Sequence, residues 1–520
     1  MLVTFGGKMV PASIVNKLKG KEFFGHPLGL VILFFAEMWE RMSYYGMRAL
    51  LVLYMIKYLF VDPDRMANTL GLNTLRYLLE IGFGPLENQP FASQIYGLYT
   101  GFVYLSPFFG GILADRVWGR KKSVYIGGIL MVIGHFLMAF ENLFLPALFF
   151  LILGNGAFKP NISTQVGNLY KTGDSRRDGA FTIFYMGINL GAFFSPILCK
   201  NLAVYICNEL EITAPGAAWH LGFTFAGIGM ILGLLVYHFG RSLLPPEDLS
   251  GLAPAEKRFS IQWKTIFGLF AFMALFIILL MTPIVVKIII IIGVIAAIVM
   301  AIRKISDQID RAKVSALVIL CLGTVAFWAI FEQQGNTLQI WADEKADWAR
   351  LGLEAENYQS VNPAFIFLFA PLLDMWWKFN AARGRKSSSI RKMSVGCFLA
   401  GLAFLVVPLA SQFITIEKSL INMFWLVLTT WVFTMGELYL SPIGLSFVTK
   451  VAPVRLLSMM MGMWFISSFI GGYLAGYLGS LYSSMSNNAF FLLFAILGGA
   501  VGVFFLIAEL KIKKVVGNDI

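Results

Sequence analysis

The polar residues that interrupt the first long apolar segment, Leu28 to Phe60, have the clearest chemical potential in this sequence. They are Glu37, Glu40, Arg41, Tyr44, Tyr45 and Arg48. Their spacing of 3, 1, 3, 1 and 3 residues places all six on one face of an α-helix. A charge at the centre of a bilayer costs about 2.5 kcal/mol or more, so this face requires an aqueous cavity or ionic partners. For Glu37, Glu40 and Arg41, mutual ion pairing as a purely structural cluster is an equally strong alternative.

Three more charged residues lie inside other apolar segments. Lys159 precedes Pro160, which interrupts the helical hydrogen-bond ladder and leaves backbone groups that need a cavity or a partner. Glu332 and Glu437 lie in the C-terminal half. Lys287 is set aside because it is near a helix end, where its side chain reaches the interface. All three buried bases then fall in the N-terminal half, and the C-terminal half contributes only acids.

This sorting by sign predicts a cavity with one cationic and one anionic wall. Such a cavity suits a zwitterion, whose carboxylate would meet Arg41, Arg48 and Lys159 and whose amino group would meet Glu437. A surplus carboxylate also suits a proton carrier, because its protonation responds to burial and to nearby charges. The histidines all fall near predicted helix ends, where we expect them at the interface, so we favour carboxylates as the carriers. These histidines are His26, His135, His220 and His238.

Several aromatic and amide side chains lie beside these polar motifs and are predicted to contact a cargo. They are Tyr44, Tyr45, Tyr104, Tyr185, Asn189, Trp328, Asn362 and Trp464. For an isolated aromatic residue, core packing or an interfacial belt is the stronger interpretation. Tyr185 and Asn189 are a better candidate pair, because they are one helical turn apart. Asn362 is suited either to bonding a peptide backbone or to capping its helix.

Composition excludes an ordinary soluble protein. The chain has 520 residues, of which 58% are hydrophobic and 13% charged, whereas soluble proteins are roughly one quarter charged. Apolar stretches of about 20 residues predict about 14 transmembrane helices in an all-α protein. The predicted spans are Leu28 to Phe60, Ser93 to Ala114, Ser123 to Phe140, Leu143 to Leu169, Ala180 to Leu202, Trp219 to Gly240, Ile266 to Met281, Ile284 to Ile302, Val314 to Gln334, Asn362 to Trp377, Met393 to Phe413, Ile421 to Val448, Leu457 to Leu481 and Ala489 to Ala508.

The distribution of basic residues predicts the orientation. With the N-terminus in the cytoplasm, 30 of the 41 Lys and Arg residues fall in inside segments and 7 in outside segments. Basic loops stay on the cytoplasmic side during insertion, so we expect both termini inside and a multi-pass protein of the inner (plasma) membrane. The net charge of +12 is thereby explained by topology and does not indicate nucleic-acid binding. Four cysteines make no disulfide framework; Cys199 and Cys207 are the one pair that could form a bridge.

A weak internal repeat divides the chain. The loop from Gly110 to Lys122 has an acidic residue at a helix end followed by a Gly and Lys/Arg loop, and a degenerate echo runs from Pro371 to Lys386. Such symmetry is typical of transporters built from two six-helix halves. We expect a cytoplasmic segment 1–26, an N-terminal bundle 27–241, a linker with an extra transmembrane hairpin 242–312, a C-terminal bundle 313–510 and a tail 511–520. The hairpin is not expected to line the charged pocket.

Several motifs together resemble those of the proton-dependent oligopeptide transporter family of the major facilitator superfamily, in its bacterial form. The matching segments are Glu37 to Gly46, Gly110 to Gly119, Gly154 to Asn161, Phe184 to Gly191, Glu332 to Gly335 and Gly436 to Pro442. The resemblance implies the major facilitator fold and proton-coupled symport of di- and tripeptides by alternating access. Two departures are notable: Met42 replaces the usual Phe, and Gly97 stands where animal members carry a histidine.

The resemblance also implies residue roles. Glu37, Glu40 and Arg41 resemble the cluster that couples protonation to binding of the peptide carboxylate with Lys159. Arg48 and Glu332 resemble the pair that closes the outer gate, and Glu332 is a further candidate proton carrier. Glu437, with Ser441 beside it, resembles the group that faces the peptide amino terminus. Trp328, Asn362 and Trp464 resemble residues of the pocket lining, and Lys159 and Glu437 are additional candidate gating residues.

Three alternatives differ from this prediction in cargo or class. A transporter of another small anion, such as nitrate, has no need of Glu437, and a drug/proton antiporter has no need of a charge pair matched to a zwitterion. A membrane enzyme is disfavoured because no metal cluster, nucleophile elbow or phosphate loop occurs at useful spacing. We expect no cofactor other than the proton gradient as driving force. The expected partners are peptides, protons and membrane lipid, and the expected state is a monomer.

Overall fold

The structure is a computed structural model. In the part of the chain that the structure describes, most residues are in α-helices. The described residues are 2–5, 8–11, 22–171, 174, 176–247, 249–348, 352–385, 387–413, 420–453 and 456–516. Lys386 of the second basic loop lies outside them. Residue contacts define two compact units, Met1–Leu72 with Leu105–Phe272, and Asn73–Tyr104 with Met273–Ile520. The bundle boundaries predicted from the internal repeat stay a prediction.

The N-terminal part contains two short antiparallel β-hairpins and nine α-helices within the described residues. Strand β1 (Leu2–Phe5) pairs with β2 (Lys8–Pro11), and β3 (Glu22–Phe23) pairs with β4 (His26–Pro27). The helices are α1 (Leu28–Tyr54), α2 (Pro63–Asn68), α3 (Leu72–Phe83), α4 (Asn88–Leu113), α5 (Arg120–Leu137), α6 (Phe144–Gly167), α7 (Arg176–Pro196), α8 (Leu202–Glu209) and α9 (Ala217–Gly240). Short π-helical segments extend three of them, at Met55–Leu59, Ala114–Trp118 and Ile197–Asn201.

The remaining helices include the central hairpin and the C-terminal part. They are α10 (Ala255–Met281), α11 (Ile284–Arg303), α12 (Gln308–Phe331), α13 (Thr337–Lys345), α14 (Tyr358–Ala382), α15 (Ser389–Ser411), α16 (Phe424–Val451), α17 (Leu457–Gly479) and α18 (Asn487–Val516). Single 3₁₀ turns lie at Glu141–Leu143, Arg241–Leu243, Glu332–Gly335, Ala355–Asn357 and Tyr482–Ser484. Both α4 and α10 contribute residues to each of the two compact units.

Side-chain caps fix where several helices begin. Asp62 accepts hydrogen bonds from the Asp64 and Arg65 amides at 3.0 and 3.4 Å, and Pro63 occupies the first position of α2. Asp307 caps α12 at 2.8 Å. Ser388 caps α15 in the same way. The segment 61–90, which the sequence marks as too polar to cross a membrane, accordingly forms the two short helices α2 and α3.

Glycine allows two corresponding helix pairs to pack backbone against backbone. A Cβ atom on Gly127 of α5 would lie 2.6 Å from the Gly154 carbonyl oxygen of α6. In the C-terminal part, a Cβ on Gly396 of α15 would lie 2.7 Å from the Gly436 carbonyl oxygen of α16. Small residues are typical of such close crossings in membranes, where tight packing rather than the hydrophobic effect holds helices together.

Length and composition make this a multi-pass membrane protein. Among the described residues, eleven helices are long and apolar enough to cross a membrane. Helices α1, α5 and α14 have 27, 18 and 25 residues but contain more polar or charged side chains. The count of about 14 transmembrane helices stays a prediction, as does the location of the termini.

The structure corrects one expectation and answers another. His135 was expected at an interface, but its side chain is fully buried in α5, and neither ring nitrogen has a hydrogen-bond partner among the described residues. The expectation was wrong because the residue lies on the packed side of the last turn of α5. Cys199 and Cys207 are both buried free thiols, and Cys199 instead lies 3.9 Å, sulfur to sulfur, from Met42.

Candidate functional site

The charged face of α1 is buried as an ion-pair cluster. Arg41 Nε lies 3.2 Å from Glu37 Oε1, and the Arg41 guanidinium also makes two hydrogen bonds to the Glu40 carboxylate. The three side chains are at most 2% exposed. Glu37 Oε2 has no hydrogen-bond partner among the described residues. Two carboxylates therefore share one guanidinium, and Arg41 alone does not balance the charge of the two acids.

Two tyrosines continue this face along α1. The Arg41 guanidinium lies 5.1 Å from the Tyr44 ring centroid, and the Arg48 guanidinium lies 5.9 Å from that of Tyr45. Both distances fit cation–π contacts. The Tyr44 and Tyr45 rings, whose centroids are 5.2 Å apart, therefore lie between the Arg41 and Arg48 guanidinium groups along α1.

Lys159 of α6 belongs to the same electrostatic neighbourhood, since its charge acts on Glu37. It is half-buried beside Pro160, yet α6 runs through without a break. Side chains of the same helix donate to the backbone around this proline: Asn161 to the Ala157 carbonyl at 2.8 Å and Thr164 to the Pro160 carbonyl at 2.7 Å. Both are local bonds to the carbonyl four residues earlier, and neither goes to the Gly156 carbonyl, whose usual helical donor is missing because Pro160 has no N–H.

Tyr185 and Asn189 of α7 are joined through the backbone. The Asn189 amide donates to the Tyr185 carbonyl oxygen at 2.9 Å, so one donor of this amide is used within its own helix. The Tyr185 side chain is 41% exposed. The two residues therefore do interact, as their spacing of one turn predicts. The bond is to the Tyr185 backbone, however, so Asn189 also stabilises its own helix.

Glu332 lies at the end of α12 with its carboxylate held by phenols. Tyr96 and Tyr104 of α4 donate to its two oxygens at 3.0 and 3.2 Å. Glu332 and Tyr96 are 1% and 0% exposed, so the carboxylate is buried away from solvent. Trp328, one turn earlier on α12, places its ring 5.9 Å from that of Tyr104. Its indole nitrogen has no hydrogen-bond partner among the described residues.

Glu437 of α16 is oriented by Asn362 of α14. The Asn362 amide donates to Glu437 Oε2 and to the Thr434 hydroxyl, both at 2.9 Å. Asn362 therefore bonds a side-chain carboxylate rather than capping its helix. Ser441, one turn after Glu437, is half-buried, and the ring of Trp464 in α17 packs directly against Gly444.

Sequence reasoning missed two members of these sites. Tyr96 precedes Tyr104 by two helical turns, a spacing that puts both on one face of α4, so it was detectable once Tyr104 was chosen. Thr434 lies three residues before Glu437 and offers the same signal. The predicted pair of Arg48 with Glu332 joins residues of different units and stays a prediction, as do the gating roles of Lys159 and Glu437. No group of three or more described His, Cys, Asp or Glu residues is placed to hold a metal ion.

Charged residues buried within long membrane helices are typical of proteins that move ions or small solutes across a membrane, and this is the class that the fold and the charged sites indicate. A sequence model of the POT family matches residues 121–494, and the chain belongs to this family. It is 34% identical to a di-/tripeptide transporter of Lactococcus lactis subsp. lactis (strain IL1403), over 97% of this chain and 99% of that protein.

Solved structures agree with this family. The crystal structure of the peptide transporter POT in complex with sulfate has a TM-score of 0.78 and 31% identity, over 97% of this chain and 99% of the other. A POT family transporter in complex with 5-aminolevulinic acid has a TM-score of 0.75 and 29% identity, over 96% and 99%.

Proposed function

We propose that this protein is a proton-coupled symporter that imports di- and tripeptides across the inner membrane by alternating access. The observation that carries the proposal is the pair of buried charge sites in a POT family chain: an Arg-containing cluster on α1 and an oriented carboxylate at Glu437. Its similarity to a di-/tripeptide transporter and to a peptide transporter structure supports the same cargo. We expect the protein to act as a monomer.

The cargo is a zwitterion whose two ends require opposite charges. We assign the carboxylate end to Arg41, Arg48 and Lys159 and the amino end to Glu437. Asn362 fixes the rotamer of Glu437, so the carboxylate is held in position before cargo arrives. Such preorganisation lowers the cost of ordering side chains on binding.

The proton is assigned to one of two carboxylate sites. In the first, Glu37 and Glu40 share Arg41, and protonation of one acid would leave a neutral pair. In the second, Glu332 is held by two phenols. Protonation and cargo binding together neutralise buried charge. Arg48 and Glu332 would then rearrange as the binding site closes to one side of the membrane and opens to the other.

Uptake of a labelled dipeptide into liposomes tests the coupling. We expect uptake to require an inward proton gradient, and the carrier glutamate to be identified by a Gln substitution that stops gradient-driven uptake but leaves peptide exchange intact. Glu332→Gln and Glu37→Gln are the two arms. Uptake by the wild type at the same rate with and without the proton gradient would contradict symport. Outward proton flux during cargo entry would indicate an antiporter.

Binding of free and N-acetylated dipeptides tests the assignment of the amino end. Loss of a charge-assisted contact costs about 1.5–3 kcal/mol, so Glu437→Gln should weaken binding of free peptides by about tenfold or more. N-acetylated peptides should be little affected. Glu356→Gln is a matched control, because Glu356 is a buried glutamate of the same unit outside the site. Equal losses for both peptides would show that Glu437 is structural, and preferential binding of nitrate would favour the anion alternative.

A further inference from the structure

A small apolar cleft lies between the central hairpin and the N-terminal helices, apart from the charged site. It has a volume of about 110 Å³ and lies where α10 passes α4, α5 and α6. Its wall is almost entirely apolar. The side chains that form most of it are Phe109, Leu113, Leu130, Leu153, Ile266 and Leu269.

The cleft exists because α10 stands away from a tightly packed pair of helices. Gly110 of α4 and Gly156 of α6 are so close that a Cβ on Gly110 would collide with the Gly156 carbonyl. Helix α10 makes a looser contact, since a Cβ on Gly268 would lie 3.6 Å from the Phe109 ring. It is fastened at the Trp118 indole, which donates to Gln262 at 3.0 Å.

Basic residues gather at the end of the cleft where Trp118 lies. Helix α5 begins there with Arg120, Lys121 and Lys122, and α10 carries Arg258 and Lys264 near its start. The linker between α9 and α10 keeps these segments together. Its Glu247 carboxylate accepts from the Arg120 and Lys121 amides, and the Ala253 amide donates to the Arg116 carbonyl at 2.9 Å.

The outer side of the same part of α10 is an exposed aromatic stripe. Phe259, Trp263 and Phe267 are one turn apart and 72%, 52% and 73% exposed. Aromatic residues beside basic ones are typical of the level at which lipid headgroups meet the hydrocarbon. The orientation predicted from the basic loops places this level in the cytoplasmic leaflet.

These features identify one kind of occupant. A cleft whose wall is almost entirely apolar offers ordered water few partners, whereas a dry apolar cavity of about 150 Å³ accepts a hydrocarbon the size of benzene. The basic residues at its end complement an anionic headgroup, as basic pockets between helices do on the cytoplasmic side of membranes. We propose that this cleft binds an anionic phospholipid of the cytoplasmic leaflet, with part of one acyl chain in the cleft and the phosphate on the basic end.

Retention of lipid by the purified full-length protein tests the acyl-chain half of the proposal. The probes are palmitoyl-oleoyl phosphatidylglycerol and phosphatidylcholine, titrated in detergent and counted by native mass spectrometry. Filling the cleft with Leu269→Trp should weaken phosphatidylglycerol binding by about tenfold or more, since the indole would exclude several methylenes of the acyl chain from the cleft. Leu275→Trp is the matched control, because Leu275 lies on the same helix and is 64% exposed.

A second lining variant, Leu153→Phe on α6, guards against misfolding of the first. Monodisperse elution and an unchanged lipid-free unfolding temperature establish that each variant is folded. If Leu269→Trp does not fold, Leu153→Phe decides. Equal retention by folded lining variants and by Leu275→Trp would overturn the chain site and leave only the general lipid annulus.

Selectivity for the headgroup is tested separately. Wild type should prefer phosphatidylglycerol, and replacement of both Arg258 and Lys264 by Gln should remove most of this preference. The control is Lys378→Gln, an exposed lysine paired with Asp374 in the other unit. Equal binding of the two lipids by wild type, or an unchanged preference in the double variant, would overturn the assignment of an anionic headgroup.

Discussion

Helices α4 and α17 touch through two glycines, and this contact should control the stability of the protein. A Cβ atom on Gly97 would lie 2.7 Å from Gly476 Cα and 2.9 Å from the Tyr473 carbonyl oxygen. Ordinary contacts between carbon atoms are about 3.5 Å, so Gly97→Ala requires the two helices to separate by about 0.8 Å. The same geometry explains why this position, which carries a histidine in animal relatives by the resemblance described above, has no room for one here.

The magnitude follows from two opposing effects. Overpacking of a well-packed contact costs about 1–3 kcal/mol. Replacing a helical glycine by alanine returns about 0.5–1 kcal/mol through backbone entropy. Gly97→Ala should therefore destabilise the protein by about 0–2.5 kcal/mol. Gly111→Ala, on the same helix, should instead be neutral or stabilising, because its added Cβ meets nothing within 4 Å.

Thermal unfolding of the purified proteins in one detergent, followed by tryptophan fluorescence, checks this order. The double variant Gly97→Ala/Gly476→Ala sharpens the test. Once the helices have separated for one methyl group, the second costs less, so the two effects should be clearly less than additive. An unfolding temperature for Gly97→Ala equal to that of Gly111→Ala, or strict additivity in the double variant, would refute the close contact.

Three further predictions concern groups away from this contact. Glu247→Ala removes the carboxylate that caps the first amides of α5 and should lower the free energy of unfolding by about 1 kcal/mol. An unchanged free energy of unfolding would show that the linker does not stabilise this helix. Hydrogen bonds from Arg176 lower the pKa of Asp174 to about 2; the stabilisation is present above the ordinary value of 3.8 and is lost as the pH falls through 2, so Arg176→Ala should move the acid limb of unfolding to higher pH. His135→Leu removes a buried ring without hydrogen-bond partners among the described residues and should raise stability by about 1 kcal/mol while leaving gradient-driven uptake intact; loss of uptake would give His135 a role in transport.

The charged part of the site was predictable because helical spacing is a strong constraint. Offsets alone placed Glu37, Glu40 and Arg41 on one face, and the cost of charge in a membrane made them conspicuous. Glu332 and Glu437 stood out for the same reason. Periodicity and apolar length likewise indicated most of the long helices, since few other structures satisfy the backbone in lipid.

The uncharged side chains that hold the charged site residues could not be predicted by considering each residue of the sequence separately. Tyr96 and Thr434 contact Glu332 and Asn362 through tertiary packing, and neither residue type is unusual in a membrane helix. The burial of His135 depends on whether its helical turn faces the protein interior or the surface. An error of one or two residues in a predicted helix boundary is enough to reverse that assignment. The apolar cleft depends on how far α10 stands from α4, and no local sequence pattern sets that distance.

The α1 cluster bears on the two explanations that spacing alone left equal. A structural ion pair is stable when each buried charge is matched and every oxygen is bonded. Here two carboxylates share Arg41, and Glu37 Oε2 has no hydrogen-bond partner among the described residues. A buried carboxylate oxygen without a hydrogen-bond partner is costly if the acid serves only packing, because an unsatisfied buried oxygen costs about 1–3 kcal/mol. It becomes useful if that carboxylate takes up a proton during each cycle, since a free oxygen can accept one. A proton-binding role for the Glu37/Glu40 pair stays our proposal. Glu37→Gln separates the two explanations: a proton-binding role predicts lost coupling, and a purely structural role predicts lost stability with coupling intact.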